Sequence, residues 1–256
     1  MLELKNVTVT YDEPPVRAVN DLSMRVDTGE IVALLGESGS GKSSLLRAVA
    51  GLEPADGEVF INGTNVAGVP VHRRGVGMVF QDGQLFPHRN VARNISYGLE
   101  IPGHAKTGGD DAGSTGSGRG VRGRRLPKSE RAARVAELLD LVGLAGYENR
   151  PITTLSGGQA QRVALARTLA PQPEVVLLDE PLSALDRILR TRLSSDLRRI
   201  LTSVKATALY VTHDREEALA IADRVAIMDG GRLVQIGTAE QLLREPASDV
   251  VVRLLT

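Results

Sequence analysis

The chain has no cysteine and no tryptophan, and only 3 Phe and 4 Tyr among its 256 residues. Without cysteine it forms no disulfide-stapled secreted scaffold, no Cys-ligated zinc module and no thiol nucleophile. Neither sign of charge is in excess, since 31 Lys and Arg stand against 31 Asp and Glu. A protein that grips a phosphate backbone over a broad surface carries a basic excess, so any anion site here is local and a nucleic-acid partner is not expected. Long apolar runs are missing as well. Stretches such as Ile31 to Leu35 and Val175 to Leu178 fall far short of the ~20 residues of a membrane-spanning helix. The N-terminus, with Glu3, Lys5 and Asp12 among alternating residues, lacks the apolar core of a secretory signal. A cytoplasmic chain is expected, in which Asn6-Val7-Thr8, Asn62-Gly63-Thr64 and Asn94-Ile95-Ser96 match glycosylation sites by coincidence.

What is present reads as an α/β fold, with 42% apolar and 24% charged residues, enough to build a large core. Leu2, Leu4, Val7 and Val9 alternate with polar residues, Leu22 to Val26 follows, and Val59 to Ile61 closes on Asn62-Gly63, which predicts antiparallel ribbons. Ile31 to Leu35, Gly77 to Phe80, Val175 to Leu178 and Ala208 to Thr212 are continuous apolar runs, suited to strands covered on both faces by helices. Helices are expected over Ser43 to Ala50, Ser129 to Val142, Ser156 to Ala170 and Leu185 to Leu201, the last with Leu189, Leu193 and Leu197 on one face. Val225 to Met228 and Leu233 to Ile236, around Asp229-Gly230-Gly231, predict a hairpin followed by a short helix from Ala239. Residues 89–151 show no buried strand and predict a mostly helical lobe. Within it, 103–127 reads as a disordered insertion: 8 of the 23 residues from Gly103 to Arg125 are Gly, and hardly any bulky apolar side chain offsets the ordering entropy. Its basic end leaves attraction to anionic lipid head groups as the other reading.

Three motifs carry chemistry. Gly36-Glu37-Ser38-Gly39-Ser40-Gly41-Lys42-Ser43 satisfies Gly-x-x-x-x-Gly-Lys-Ser between an apolar strand and a helix. Its glycines let backbone N–H groups turn towards one phosphate chain, and the helix adds its positive end. Lys42 then reaches the β and γ oxygens, and the Ser43 hydroxyl is placed to hold Mg²⁺. Val175 to Leu178 buries four aliphatics and presents Asp179 and Glu180 at a strand's carboxyl end, where open α/β sheets display ligands. Asp179 would bind Mg²⁺ directly or through water, and Glu180 would orient the attacking water. Leu155-Ser156-Gly157-Gly158-Gln159 opens a helix with both the spacing of a capping box and two glycines that clear room for an anion. One triphosphate could be held between this helix end and the loop at Lys42.

Gly36 to Ser43, Leu155 to Gln159, Leu178 to Glu180 and His213, in this order, resemble the nucleotide-binding subunits of ATP-binding cassette (ABC) transporters, over nearly all of the chain except the Gly-rich insertion. The resemblance implies a P-loop ATPase core with an antiparallel β subdomain and an inserted helical subdomain, one cassette over residues 1–256 without the C-terminal regulatory domain of many importers. It implies ATP and Mg²⁺ as cofactors, with Ser44 joining the phosphate loop and Ser43, Asp179 and Gln81 at the metal. It implies that two copies pair head to tail, Ser156, Gly157, Gly158 and Gln159 of each completing the ATP site of the other. Tyr11 stands where an aromatic ring stacks on adenine, or else packs a strand end. Gln81 resembles the glutamine that touches Mg²⁺ and water and relays occupancy to the membrane partner, or is a polar strand cap. Ser183-Ala184-Leu185-Asp186 resembles the loop that crosses the dimer seam, or caps the next helix. His213 resembles the histidine that hydrogen-bonds the γ-phosphate.

Lys42, His213, Gln81 and Glu180 are accordingly the expected catalytic set, neutralising the γ-phosphoryl and aiming a water at phosphorus. Transport requires separate transmembrane permease subunits, expected to dock near Gln84-Leu85-Phe86-Pro87 and Tyr97 and to hold the chain at the cytoplasmic face of the membrane. Val79-Phe80-Gln81-Asp82 through Leu85-Phe86-Pro87-His88, with Asn94-Ile95 and Tyr97-Gly98-Leu99, looks like bacterial importers for ferric iron, thiamine, polyamines, sulfate and sugars. That implies import and an external substrate-binding protein. An exporter cassette with detached membrane subunits, or a soluble cassette acting on nucleic acid or ribosomes, are the alternatives.

Overall fold

The computed structural model describes residues 1–12, 15–100 and 126–256. Of the insertion expected over 103–127, only Leu126 and Pro127 fall within the described residues. The chain contains β1 (Leu2–Asp12), β2 (Pro15–Val26), β3 (Ile31–Leu35), α1 (Lys42–Ala50), β4 (Asp56–Ile61), β5 (Thr64–Asn65) and β6 (Val76–Val79). Four helices follow: α2 (Val91–Ile95), α3 (Tyr97–Glu100), α4 (Lys128–Leu141) and α5 (Gly157–Leu169). Then come β7 (Val175–Asp179), α6 (Arg187–Ser203), β8 (Ala208–Thr212), α7 (Arg215–Ile221), β9 (Arg224–Asp229), β10 (Arg232–Gly237), α8 (Ala239–Arg244) and α9 (Asp249–Leu255). Two compact units result, one of Met1–Gln84 with Glu174–Thr256 and one of Leu85–Pro173. No helix among the described residues is long and apolar enough to cross a membrane.

The first unit holds both sheets. In the six-stranded sheet, ordered β10-β9-β3-β8-β7-β6, the strands are parallel except for β10, which returns antiparallel to β9. Every residue of β3, β7 and β8 is buried, as continuous apolar runs require of strands covered on both faces. The β9–β10 hairpin turns through Gly230 and Gly231 at φ 50° and 78°, a pair of left-handed positions that suits glycine. The second sheet is antiparallel, ordered β2-β1-β4-β5. Helix α1 packs into a core shared by the two sheets: Leu45, Leu46 and Val49 lie in one cluster with Leu2, Leu4 and Val26 of the antiparallel sheet and Val32, Leu34, Leu177 and Leu209 of the parallel one. Each such side chain contributes about 1.5–3 kcal/mol. Strand β2 starts at Pro15 rather than at Leu22, because irregularities between Leu4 and Thr10 interrupt the alternation that would reveal the full β1–β2 ribbon.

The second unit is helical among its described residues, with one isolated bridge between Asn90 and Pro151. The lobe expected over 89–151 therefore extends to Leu85–Pro173 and takes in α5, on which α2, α3 and α4 all pack.

Candidate functional site

The order β3-β8-β7-β6 sets the site. Their carboxyl ends lie side by side, so the loop after β3, His213 after β8, Asp179 and Glu180 at the end of β7, and Gln81 after β6 come from adjacent strands. Segments separated by more than 130 residues in sequence meet along one edge.

The loop from Gly36 to Gly41 wraps around the Lys42 ammonium. A Cβ on Gly36 would overlap the Met228 carbonyl, and one on Gly41, whose φ is 96°, would overlap the Ala18 carbonyl. Glycine is thus demanded by close approach at both ends of the loop. Lys42 is buried and donates to Gly36 O at 2.9 Å, Glu37 O at 2.7 Å and Ser40 Oγ at 3.2 Å. Burial pushes its pKa down, against the opposing pull of Glu180 and Asp179. No side chain caps α1 and no acid stands in its first turn, which leaves the helix start suited to an anion. Glu37, Ser38 and Gly39 are exposed, and Arg253 of α9 reaches Glu37 at 3.2 Å.

Ser43 and Asp179 are brought together: Ser43 Oγ donates to Asp179 Oδ1 at 2.7 Å. Burial raises the Asp179 pKa and the Ser43 hydrogen bond partly offsets it, so this carboxylate sits in a site that disfavours an uncompensated negative charge. Glu180 adopts φ 44°, a left-handed conformation that costs a non-glycine residue about 1–2 kcal/mol. Its N–H donates to Val211 O at 3.0 Å, and its carbonyl accepts from Ser183 Oγ at 2.9 Å. The strained turn puts Glu180 Oε2 3.0 Å from His213 Nδ1. An ionised carboxylate only accepts, which assigns the shared proton to Nδ1 and leaves Nε2 for another partner.

The remaining expected site residues make the following contacts. Tyr11 is partly buried and its hydroxyl donates to Ser44 Oγ at 3.1 Å, so the ring lies against α1. Gln81 is exposed after β6. Asp186 caps α6 by accepting from Leu189 N at 3.0 Å. Ser156 and Gln159 form a reciprocal capping box, Gln159 N donating to Ser156 Oγ at 3.3 Å and Ser156 N to Gln159 Oε1 at 2.9 Å, with Gly157 exposed and Gly158 buried beside them. These four belong to the helical unit, whereas the Lys42 loop belongs to the other.

In the helical unit, the Phe86 and Tyr97 rings pack at 4.7 Å, with the Arg89 guanidinium 4.9 Å from the Tyr97 ring and that of Arg167 5.5 Å from Phe86. Tyr97 remains 37% exposed, which makes this an aromatic and cationic surface rather than a core. The loop behind it is built by Asn94, a fully buried side chain that accepts from Phe86 N at 2.8 Å and donates to the carbonyls of Phe86, Arg89 and Asn90 at 3.0–3.2 Å. The sequence offers Asn94 as part of a glycosylation-like triplet and of the importer-like run, but nothing in it reveals this buried role, since a polar residue in a helical segment is exposed by default. Arg190, Asp214 and Glu217 beside His213 were equally silent, although Asp214 and Glu217 have the spacing of a helix cap.

The sequence profile of the ABC transporter family matches residues 19–183. The Fe(3+) ions import ATP-binding protein FbpC of Streptomyces avermitilis is 47% identical over 256 residues, 100% of this chain and 67% of that protein. The sulfate/thiosulfate import ATP-binding protein CysA of a Synechocystis species is 45% identical over 92% of this chain and 60% of its own length, and the putrescine transport ATP-binding protein PotG of Escherichia coli 43% identical over 97% and 60%. This chain thus spans about two thirds or less of those relatives. Among solved structures, a dimeric ATP-binding cassette in a post-hydrolysis state with ADP and Pi is 29% identical, with a TM-score of 0.74 over 93% of this chain and 98% of that one. A sequence this close along its whole length, carrying the phosphate loop and acid pair on neighbouring strands, places the chain in the ABC transporter family as one of its ATP-hydrolysing cassettes.

Proposed function

We propose that this cassette powers import of a solute through separate transmembrane subunits, by closing on ATP as a head-to-tail dimer and reopening after hydrolysis. One observation supports the chemistry above all: Lys42, the Ser43–Asp179 pair and the Glu180–His213 pair lie at the carboxyl ends of three adjacent strands. Lys42 exchanges its carbonyl partners for β and γ oxygens of ATP. Glu180 takes a proton from the attacking water, and its strained turn fixes the carboxylate before substrate arrives. His213 holds Glu180 through Nδ1 and offers Nε2 to the γ-phosphate. The Ser43 hydroxyl and the buried Asp179 carboxylate, 2.7 Å apart, are hard oxygen donors that would hold a Mg²⁺ ion. Mg²⁺ supplies charge neutralisation on the phosphates, and Gln81 lies near enough in topology to join it. Tyr11 supports the adenine. Ser156 to Gln159, with two glycines beside a helix start, serve the γ-phosphate of the second copy, and Asp186 lies at the seam.

Import follows from the relatives, named for Fe(3+), sulfate/thiosulfate and putrescine transport. The Phe86, Tyr97 and Arg89 surface is the docking face for a transmembrane subunit on the cytoplasmic side, and an external binding protein delivers the solute. Because cargo differs among such similar chains, the other subunits select it. Glu180→Gln is the test of the chemistry: it should bind ATP, accumulate a dimer on size exclusion, and lose turnover by about 10²-fold or more, the range of a general base. Near-normal hydrolysis by that variant would assign the base elsewhere. ATP-driven uptake in vesicles with the co-purified membrane subunit tests direction, and efflux would make the cassette an exporter's.

A further inference from the structure

A single guanidinium joins the seam loop to the turn that carries His213. Arg190, in the first turn of α6, donates through Nη2 to Leu185 O at 2.9 Å, inside the Ser183–Asp186 loop. Through Nη1 it donates to Asp214 Oδ2 at 3.0 Å, and its Nε faces Glu217 Oε1 at 3.5 Å, an ion pair without a well-formed hydrogen bond. Glu217 is only 4% exposed at its side chain. Its other oxygen accepts from Tyr210 Oη at 2.7 Å and Thr212 Oγ1 at 2.9 Å. Thr212 Oγ1 in turn accepts from Asp214 N at 2.9 Å, and Asp214 Oδ1 accepts from Glu217 N at 3.1 Å. Both neighbours of His213 are therefore fixed by one partly buried network, while His213 itself extends to Glu180.

Simple bracing of α6 against α7 would need only one of these ion pairs. The contact to Leu185 O lies outside both helices, and although Glu217 and the cap residue Asp214 belong to the start of α7, the network also takes in Thr212, so that it holds the residue on each side of His213. A planar guanidinium directs its donors in a fixed fork, here to Leu185 O and Asp214 Oδ2 with Glu217 beside Nε, a set of directions that the compact ammonium of lysine on its flexible stem does not fix. We propose that Arg190 is a positioning residue for hydrolysis: it ties the Ser183–Asp186 loop to the His213 turn, so that a displacement of the loop is transmitted to the His213–Glu180 pair. The inference rests on the reading of Glu180 and His213 as working on the γ-phosphate.

Arg190→Lys keeps the positive charge beside the two carboxylates but loses the fixed fork that donates to Leu185 O and Asp214 Oδ2 together. Its ATP affinity and KM should stay within about twofold of wild type, while kcat falls about 10- to 100-fold, the cost of misplacing a reacting group by a fraction of an ångström to an ångström. The His213 ring resonances, one set among four histidines, should shift or broaden in the same variant. Thr212→Val, an isosteric change on the far side of the network, should reproduce the kcat loss, and it decides the matter if Arg190→Lys fails to fold. A folded Arg190→Lys with unchanged kcat and unchanged His213 resonances, or a Thr212→Val with unchanged kcat, would overturn the proposal and leave Arg190 a brace. His213→Ala separates the two levels: wild-type turnover there refutes the γ-phosphate reading itself, whereas its loss beside a normal Arg190→Lys refutes only the positioning role.

Discussion

Asn94 should govern the shape of the proposed docking face, and the size of its effect follows from its hydrogen bonds. Truncation in Asn94→Ala removes the acceptor for Phe86 N–H inside a fully buried site, an orphaned donor worth about 1–3 kcal/mol. Two of the three carbonyls it serves keep a second partner, Phe86 O from Arg89 N and Asn90 O from Asn94 N, so their loss adds little. The emptied volume adds about 1 kcal/mol. The sum is about 2–4 kcal/mol, which in hydrogen exchange is a local opening raised about 30- to 700-fold at the Phe86 amide. Exchange mass spectrometry on peptides covering 85–94 measures it directly. Asn94→Asp is the sharper control, since it keeps an acceptor for Phe86 N–H but sets a carboxylate against three carbonyl oxygens at 3.0–3.2 Å. It should be at least as damaging as alanine at neutral pH and recover in acid, where the protonated group donates again. An exchange change below about threefold in Asn94→Ala, or a well-tolerated Asp, would refute the argument that this side chain builds the loop. In the assembled transporter, Asn94→Ala should hydrolyse ATP with weakened transport.

Lys42→Ala should weaken ATP binding by about 10- to 150-fold, the value of charge-assisted contacts worth about 1.5–3 kcal/mol; wild-type affinity in a nucleotide titration would remove Lys42 from the phosphate site. Asp179→Asn should melt at a higher temperature than wild type at neutral pH without divalent cation, and Mg²⁺ with ATP should no longer bring wild-type turnover. The sign follows from the raised pKa: the folded protein holds this proton more tightly than the unfolded chain, so the contribution of Asp179 to stability is fully present below the ordinary carboxylate value and is lost as pH rises through the folded value. The gap between variant and wild type should therefore open across that window and stay constant above it. A variant that melts lower at neutral pH, or a gap that does not change across the acid range, would contradict a desolvated Asp179.

Local chemistry was legible in the chain because it is local. A Gly-x-x-x-x-Gly-Lys-Ser run between an apolar strand and a helix specifies its own loop, and Asp179 and Glu180 advertise themselves by following four buried aliphatics. The start of α5 showed itself through the capping box at Ser156, whereas α6, expected from Leu185 to Leu201, runs from Arg187 to Ser203 behind the cap of Asp186. The β1–β2 ribbon was only half visible, because its irregularities break the alternation on which strand reading depends. What the sequence by itself determined was the set of parts: a phosphate loop, two acids, a histidine, and the apolar runs that bury them. Tertiary structure alone decided their assembly. The crossover order β3-β8-β7-β6 sets which strand ends are neighbours, and no residue spacing encodes it. The same holds for the Ser43–Asp179 hydrogen bond across 136 positions, for the left-handed Glu180 that faces His213, and for the guanidinium of Arg190. Each depends on distances between segments remote in sequence, which packing fixes only once the chain has folded.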